Sequence, residues 1–180
     1  MFKVLKTICV FLILSFFFTN LVSAKTQVVE KITVPENVNS FEMFWPLVAG
    51  KTVEDGITYS LKIIKEKVRE ALIFGKEEKA NYKIFIAAKR LLEGEKLLND
   101  TKLSGAEKSF NKTNEELSKA KSLIESALAG SKVNPLTQES SQRLENIIIF
   151  SKWLSVQKNA NTQLLSGIES LAKSISNLLK

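Results

Sequence analysis

Apolar residues recur at intervals of three or four positions through almost all of the sequence beyond residue 56. This interval matches the 3.6-residue turn of an α-helix and places the apolar side chains of each segment on one face. In ITYSLKIIKEKVREALIF, Lys and Glu occupy one face, and the apolar face consists of Ile57, Leu61, Ile64, Val68 and Leu72. The pattern therefore predicts an all-α fold whose first long helix begins near residue 57.

The next segment, KEEKANYKIFIAAKRLLEGEKLLN, repeats this spacing. Its apolar positions are Ile84, Ala88, Leu91 and Leu98. Gly75 separates the two segments and can end the first helix in a left-handed C-cap. Helices joined by so short a connection pack side by side in opposite directions. We therefore expect residues 57–99 to form an antiparallel helical hairpin.

Two further segments extend this hairpin into a bundle of four or five helices over residues 57–180. A third helix is predicted over residues 105–129, with Ser104 as its N-cap, and GSKVNP then breaks the chain. Residues 137–179 are helical in pattern throughout, and as one helix they would be ~65 Å long. We favour a division near QKNAN, because Lys158 falls where a continuous core would need an apolar side chain.

The first 24 residues have the pattern of a secretory signal peptide. Lys3 and Lys6 precede the apolar run ICVFLILSFFF, and Val22 and Ala24 occupy the positions that signal peptidase recognises. Cleavage after Ala24 is the favoured interpretation. The alternative is an uncleaved anchor, since an apolar stretch of ~18 residues can just cross a bilayer. Either outcome places the remainder of the chain outside the cytoplasm, secreted or anchored on the outer face of the membrane.

Residues 25–56 contain prolines and glycines and show no helical period, which predicts an extended tether. Within it, WPLVAGKT resembles the end of a phosphate-binding P-loop, but the first glycine of that motif would fall at Trp45. We therefore predict an apolar plug that packs onto the bundle instead of a nucleotide site. Its residues are Phe44, Trp45, Leu47 and Val48, together with Tyr59 at the start of the first helix.

The composition excludes several kinds of functional site. The one cysteine, Cys9, lies in the predicted signal peptide, and the sequence has no histidine. The rest of the chain thus lacks the residues of Cys/His metal sites, cysteine nucleophiles and Ser-His-Asp triads. It retains 24 basic and 19 acidic residues, a net charge of +5, with the charges dispersed along the chain. No metal or cofactor site is predicted.

Charged residues face each other across the predicted hairpin. In a hairpin folded about Gly75, positions whose numbers add up to about 155 lie opposite, so Lys62 faces Glu93 and Glu66 faces Arg90. Such pairs fix the register of the two helices more than they stabilise them, since an exposed ion pair contributes about 0 to 1 kcal/mol.

The catalytic alternative takes Glu66, Glu93 and Glu95 as carboxylates for acid/base hydrolysis, as in glycosidases. A cation accompanies each carboxylate and no cleft is predicted, which favours a structural role for all three.

The two hairpin segments resemble a helical-hairpin family of exported bacterial proteins that is catalogued only as a domain of unknown function. The resemblance covers residues 45–99, and departs from the family at Gly56-Ile57-Thr58, where Pro or Ser is usual, and at Gly94, where Ala is usual. It implies the hairpin and an exported setting, and no activity. The matching positions are Tyr59, Leu61, Lys62, Glu66, Val68, Phe74, Lys79, Ala80, Arg90, Leu91, Glu93 and Glu95.

These observations together predict an exported, non-catalytic helical protein that binds a partner or acts as a scaffold at the bacterial cell envelope. The expected partner is a protein or another envelope component, with membrane contact only through an uncleaved leader. The first alternative is binding of an anionic polymer, nucleic acid or wall material, through lysines of the first two helices. Nucleic acid is the less expected of these two polymers. The second alternative is the carboxylate-dependent hydrolase.

Overall fold

The computed structural model of the protein describes residues 37–130, 135–157 and 160–179. The predicted signal peptide and residues 25–36 of the predicted tether lie outside the described residues. The all-α prediction is confirmed, and the helices pack as a bundle. The described residues form α1 (Ser40–Phe44), α2 (Ile57–Ala71), α3 (Lys76–Asn99), α4 (Leu103–Leu128), α5 (Gln138–Gln157) and α6 (Thr162–Asn177).

The closest helix pair in the bundle is α3 and α4, which run in opposite directions. Lys76 at the start of α3 donates a hydrogen bond to Ser126 near the end of α4. Gly94 near the end of α3 lies against Phe110 near the start of α4. The turn between them is only three residues long. This pair supplies one half of the core.

Helices α5 and α6 supply the other half. The structure divides residues 137–179 between Gln157 and Thr162, as the position of Lys158 indicates in the sequence. Asn161 is the N-cap of α6, where its side chain accepts a hydrogen bond from the Leu164 backbone N–H at 3.2 Å. Helix α6 runs alongside α4 in the same direction, and α5 packs against both α3 and α6.

The core between these four helices consists of large apolar side chains with almost no solvent exposure. Burying each such side chain contributes roughly 1.5–3 kcal/mol to folding. All four helices contribute, so the core is continuous through the bundle. The largest fully buried side chains are Ile84, Leu91, Leu97, Phe110, Leu117, Ile124, Leu144, Ile147, Phe150, Leu154, Leu165 and Ile168.

The segment before α2 is only partly the extended tether that the sequence predicts. It contains the short helix α1, which Asn39 caps by accepting a hydrogen bond from the Phe41 backbone N–H at 3.1 Å. Phe44 at the end of α1 is buried, and its ring meets Phe150 of α5 edge to face at 5.5 Å. Asn146 of α5 also donates to the Met43 carbonyl at 2.6 Å. This segment is therefore attached to the bundle through α1.

The predicted apolar plug forms with only some of its members. Phe44, Leu47 and Tyr59 are buried. Trp45 and Val48 are exposed, at 67% and 54%, which corrects the prediction for these two residues. The reason is that successive residues of an irregular segment point in different directions, so one packed surface cannot take all four neighbours.

Helix α2 departs most from what its pattern suggests. The apolar face of an amphipathic helix normally packs against a core. Here each residue of that face is more than half exposed, and the more polar face of α2 meets the bundle instead. We call the exposed face the α2 stripe: Ile57, Leu61, Ile64, Val68 and Leu72.

The ends of two helices also differ from the sequence predictions. Helix α4 begins at Leu103 with Lys102 before it, so Ser104 lies inside the helix and is not its N-cap. Helix α2 ends at Ala71, and Gly75, with φ +97°, directly precedes α3. At the other end of α2, Gly56 has φ +56°, a conformation that strains other residues. This backbone accounts for glycine where the resembling family has Pro or Ser nearby.

No helix within the described ranges is long and apolar enough to cross a membrane.

Gly94 lies where α3 and α4 make close contact. A Cβ at this position would overlap the ring of Phe110, which is fully buried. The chain thus has glycine where the resembling family has alanine because Phe110 fills the space that an alanine methyl group would take.

We expect Gly94→Ala to lower the free energy of unfolding by about 1–3 kcal/mol, because overpacking costs more than the helix propensity that alanine adds. The matched control is Gly167→Ala in α6, where the nearest atom to a new Cβ is 3.7 Å away. The control should stabilise the protein by about 0.5–1 kcal/mol. Denaturant unfolding of the two variants measures both values, and equal effects would contradict the close contact at Gly94.

Candidate functional site

The guanidinium of Arg90, buried on α3, lies between two carboxylates. Its Nη1 donates to Glu93 Oε1 at 2.6 Å, and its Nη2 donates to Glu66 Oε2 on α2. The second oxygen of Glu66 accepts from Lys89 Nζ at 3.0 Å. Arg90 therefore joins α2 to α3 through a carboxylate of each helix.

Lys62 extends this network toward the segment that precedes α2. Its Nζ donates to Glu93 Oε1 and to the carbonyl of Lys51 at 2.8 Å. Glu93 has no solvent exposure, so both of its cationic neighbours are needed to offset the loss of hydration. We call Lys62, Glu66, Arg90 and Glu93 the ionic cluster.

Tyr59 packs on this cluster with three cations around its ring. The centroid of the ring is 4.7 Å from Lys112 Nζ, 5.2 Å from Lys62 Nζ and 5.7 Å from the Arg90 guanidinium carbon. Lys112, on α4, also donates to the Tyr59 hydroxyl at 3.0 Å. Tyr59 is thus a packing residue whose electron-rich ring favours the surrounding positive charges.

A second ion-pair group joins α2, α3 and α4 further along the same surface. Lys83 Nζ on α3 is 2.6 Å from Glu70 Oε2 on α2 and 2.9 Å from Glu116 Oε2 on α4. Lys119 Nζ is 2.6 Å from the other oxygen of Glu116. This group and the ionic cluster hold the polar face of α2 at two places along its length.

Burial and ion pairing act in opposite directions on the pKa values of these groups. Burial lowers the pKa of Lys62, and its contact with Glu93 offsets this only in part. Burial also disfavours the charged forms of Lys83 and Glu116. Hydrogen bonds to Glu70 and Glu116 nevertheless raise the pKa of Lys83, and those from Lys119 and Lys83 lower the pKa of Glu116.

A cleft of about 320 Å³ lies between α2, α3 and α4, beside the two groups. Its walls carry charges of both signs in similar number. Three of its four glutamates, at positions 66, 70 and 116, each contact a lysine or an arginine. A general acid needs a carboxyl that holds its proton near neutral pH, whereas Lys119 and Lys83 lower the pKa of Glu116. Most of the charges in the cleft are thus paired with an opposite charge.

In the part of the chain that the structure describes, no group of three or more His, Cys, Asp or Glu residues is arranged to hold a metal ion. The predicted pairs Lys62–Glu93 and Glu66–Arg90 do come together, as the ionic cluster. Glu93 and Glu66, two of the three carboxylates of the hydrolase alternative, contact the same cation, Arg90.

The sequence predictions include no contact between helices for Lys83, Lys89, Glu70 or Glu116. The same rule for opposite positions in the hairpin gives Glu66–Lys89 and approximately Glu70–Lys83. The sequence thus contains the signal for the pairing of Lys89, Glu70 and Lys83. The contact of Lys83 with Glu116 required the arrangement of α4, which the hairpin pattern does not supply.

The outward surface of α2 is the other candidate site. At 100° per residue, the α2 stripe is flanked by Lys65 on one side and Lys67 on the other. Both side chains are exposed, and neither forms an ion pair with another described residue. The two carboxylates of α2, Glu66 and Glu70, contact cations of α3. The helix thus presents apolar and basic groups to solvent.

We expect Glu93→Gln to lower the free energy of unfolding by about 3–5 kcal/mol, because it leaves the buried Arg90 and the neighbouring, partly exposed Lys62 with one carboxylate fewer. The side chain keeps its volume, so a cavity does not contribute. Glu139→Gln is the control, since it removes an ion pair with Arg143 whose carboxylate is 67% exposed, and should cost less than about 1 kcal/mol. Denaturant unfolding compares them, and a small effect of Glu93→Gln would contradict the buried network.

The stability of the folded chain should also depend on pH through Glu116. Because the pKa of Glu116 is below its ordinary value of 4.5, the ionised form stabilises the folded chain above that pH. This stabilisation is lost as the pH falls through the native pKa. Glu116→Gln should thus be less stable than the wild type at pH 7, and the difference should shrink in acid. Thermal melts between pH 7 and pH 3 test this, with exposed Glu115→Gln as the control.

Most of the region just described matches one protein family. A family model described as "Domain of unknown function (DUF5667)" matches residues 51–152, which span α2, α3, α4 and most of α5. The match includes the ionic cluster and the α2 stripe, and extends beyond the residues that carry the resemblance in the sequence. The chain matches no curated protein and no solved structure. Because the matched residues make up more than half of the sequence, the chain belongs to the DUF5667 family.

Proposed function

We propose that the protein is an exported, non-catalytic binding or scaffolding module of the bacterial cell envelope, and that α2 is its binding surface. The observation that carries this proposal is the orientation of α2, whose apolar stripe faces solvent while its carboxylates face the bundle. Export itself rests on the signal-peptide pattern of residues 1–24.

The exposure of the α2 stripe is concentrated and not scattered. Of the 12 large apolar side chains that are exposed in the described residues, six lie between Ile57 and Phe74. Single exposed apolar residues are common on proteins, whereas a contiguous group marks a surface that binds something. Leaving this group in water forgoes the free energy that its burial would provide.

The attachment of α2 to the bundle supports a stable binding surface. Arg90, Lys62 and Lys83 contact carboxylates at defined positions on α2 or α3, and these ion pairs hold the polar face of α2 toward the bundle. A rigid surface loses less conformational entropy when it binds than a flexible one.

The two alternatives have less support. Anionic-polymer binding needs free lysines gathered on one face of α2 and α3. Lys62, Lys83 and Lys89 are engaged in ion pairs with carboxylates, and the exposed Lys65 and Lys67 lie on opposite sides of the α2 stripe. A carboxylate-dependent hydrolase needs one protonated and one ionised carboxyl beside a substrate, but Glu66 and Glu93 both contact Arg90.

The proposal is tested by measuring the binding of the exported chain to washed bacterial envelopes. The intact mass of the exported chain identifies its first residue. Leu61→Ser/Val68→Ser should weaken binding at least about tenfold, because two apolar side chains lose their burial in the complex. The matched control is Leu103→Ser/Val156→Ser, which removes a leucine and a valine of similar exposure from α4 and α5.

The control should bind as the wild type does. Equal binding by both double variants would show that α2 is not the binding surface, and an intracellular chain would contradict export. Repeating the assay at low and high salt separates the polymer alternative, whose affinity falls steeply with salt.

A further inference from the structure

The surface that α2 presents has the chemistry of a helix that lies on a membrane. Interfacial helices combine an apolar face with basic residues on the polar flanks. The α2 stripe spans from Ile57 to Leu72, about 22 Å along the helix axis. Lys65 and Lys67 flank it on opposite sides, and Phe74, 82% exposed, follows the end of the helix.

We propose that α2 docks on an anionic phospholipid bilayer, with the α2 stripe in the boundary between headgroups and acyl chains and with Lys65 and Lys67 at the lipid phosphates. This inference rests on the proposed function and names the envelope component that α2 binds. It differs from the membrane contact expected from the sequence, which involves only the leader.

Charge complementarity favours lipid as the occupant. Glu66 and Glu70 are the acidic residues of α2, and both contact cations of α3. The outward side of the helix therefore brings no carboxylate of its own toward lipid phosphates. A basic side chain near an anionic membrane gains free energy from the negative surface potential.

A second copy of the chain fits this surface less well. The α2 stripe has a lysine on each flank, so two stripes that pack together bring cations of the two copies side by side in either helix orientation. Like charges at that spacing repel each other. An anionic bilayer accepts the apolar residues and both lysines at once.

A fluorescent label placed on the α2 stripe tests the proposal in the full chain, whether or not the leader is retained. In the Cys9→Ser background, Val68→Cys carries an environment-sensitive dye, and Val156→Cys on α5 is the matched control of similar exposure. The probes are vesicles of phosphatidylcholine with phosphatidylglycerol, and vesicles of phosphatidylcholine alone. Lipids with a nitroxide below the headgroup report the depth of the dye.

We expect the dye at position 68, and not at position 156, to shift to the blue and to be quenched in anionic vesicles. Lys65→Gln/Lys67→Gln should raise, roughly tenfold or more, the lipid concentration at which half of the blue shift is reached. Lys96→Gln/Lys108→Gln, with the same change in net charge on exposed lysines of α3 and α4, should not.

Three outcomes would overturn the proposal. A dye at position 68 that remains in a water-like environment with anionic vesicles shows that α2 does not touch lipid. A dye already shielded before vesicles are added shows that the chain itself or a second copy covers the stripe, and sedimentation equilibrium identifies the second copy. Equal shifts at positions 68 and 156 show unspecific adsorption. If envelope binding still depends on Leu61 and Val68 in any of these cases, the proposed function stands and its partner is not lipid.

Discussion

The orientation of α2 on the bundle depends on the buried guanidinium of Arg90. A buried charge must have partners in fixed directions, because leaving it unpaired costs several kcal/mol. Glu93 on the same helix meets one side of the guanidinium, and Glu66 meets another side only when the polar face of α2 is turned inward. Placing the apolar stripe of α2 against α3 would remove Glu66 and leave Arg90 short of a partner. The exposed stripe is therefore the consequence of satisfying a buried charge.

Two kinds of interaction consequently hold different parts of the fold. Helices α3 to α6 share an apolar core, whose contribution scales with buried area and has no preferred direction. Helix α2 joins them largely through ion pairs, for which the gain from attraction is offset by the cost of removing charges from water. At Lys62, burial lowers the pKa by more than the contact with Glu93 raises it, in line with this cost. We expect α2 to be precisely oriented but to contribute less stability than a helix of the core.

The sequence predicts the positions of most helices well, because their apolar residues follow the 3.6-residue period without interruption. The bounds of α3, Lys76–Asn99, coincide with the predicted segment, and α5 and α6 divide near the predicted Lys158. The pairing of Lys62 with Glu93 follows from counting along an antiparallel hairpin. The direction of the α2 stripe does not, because α2 has both an apolar face and a face complementary to α3. Trp45 was misplaced for a different reason, since an irregular segment has no period to assign its side chains to a face.

The distribution of charge on α2 bears on the proposal that its exposed stripe is a binding surface. Were the stripe only a by-product of satisfying Arg90, its flanks could carry either sign of charge. Instead both acidic residues of the helix face α3, and the flanks hold Lys65 and Lys67. The inward carboxylates are required by the cations of α3, but nothing in the bundle contacts these two lysines as ion-pair partners within the described residues. Their placement fits the proposed anionic bilayer outside the chain, and it links the fold of α2 to the proposed function.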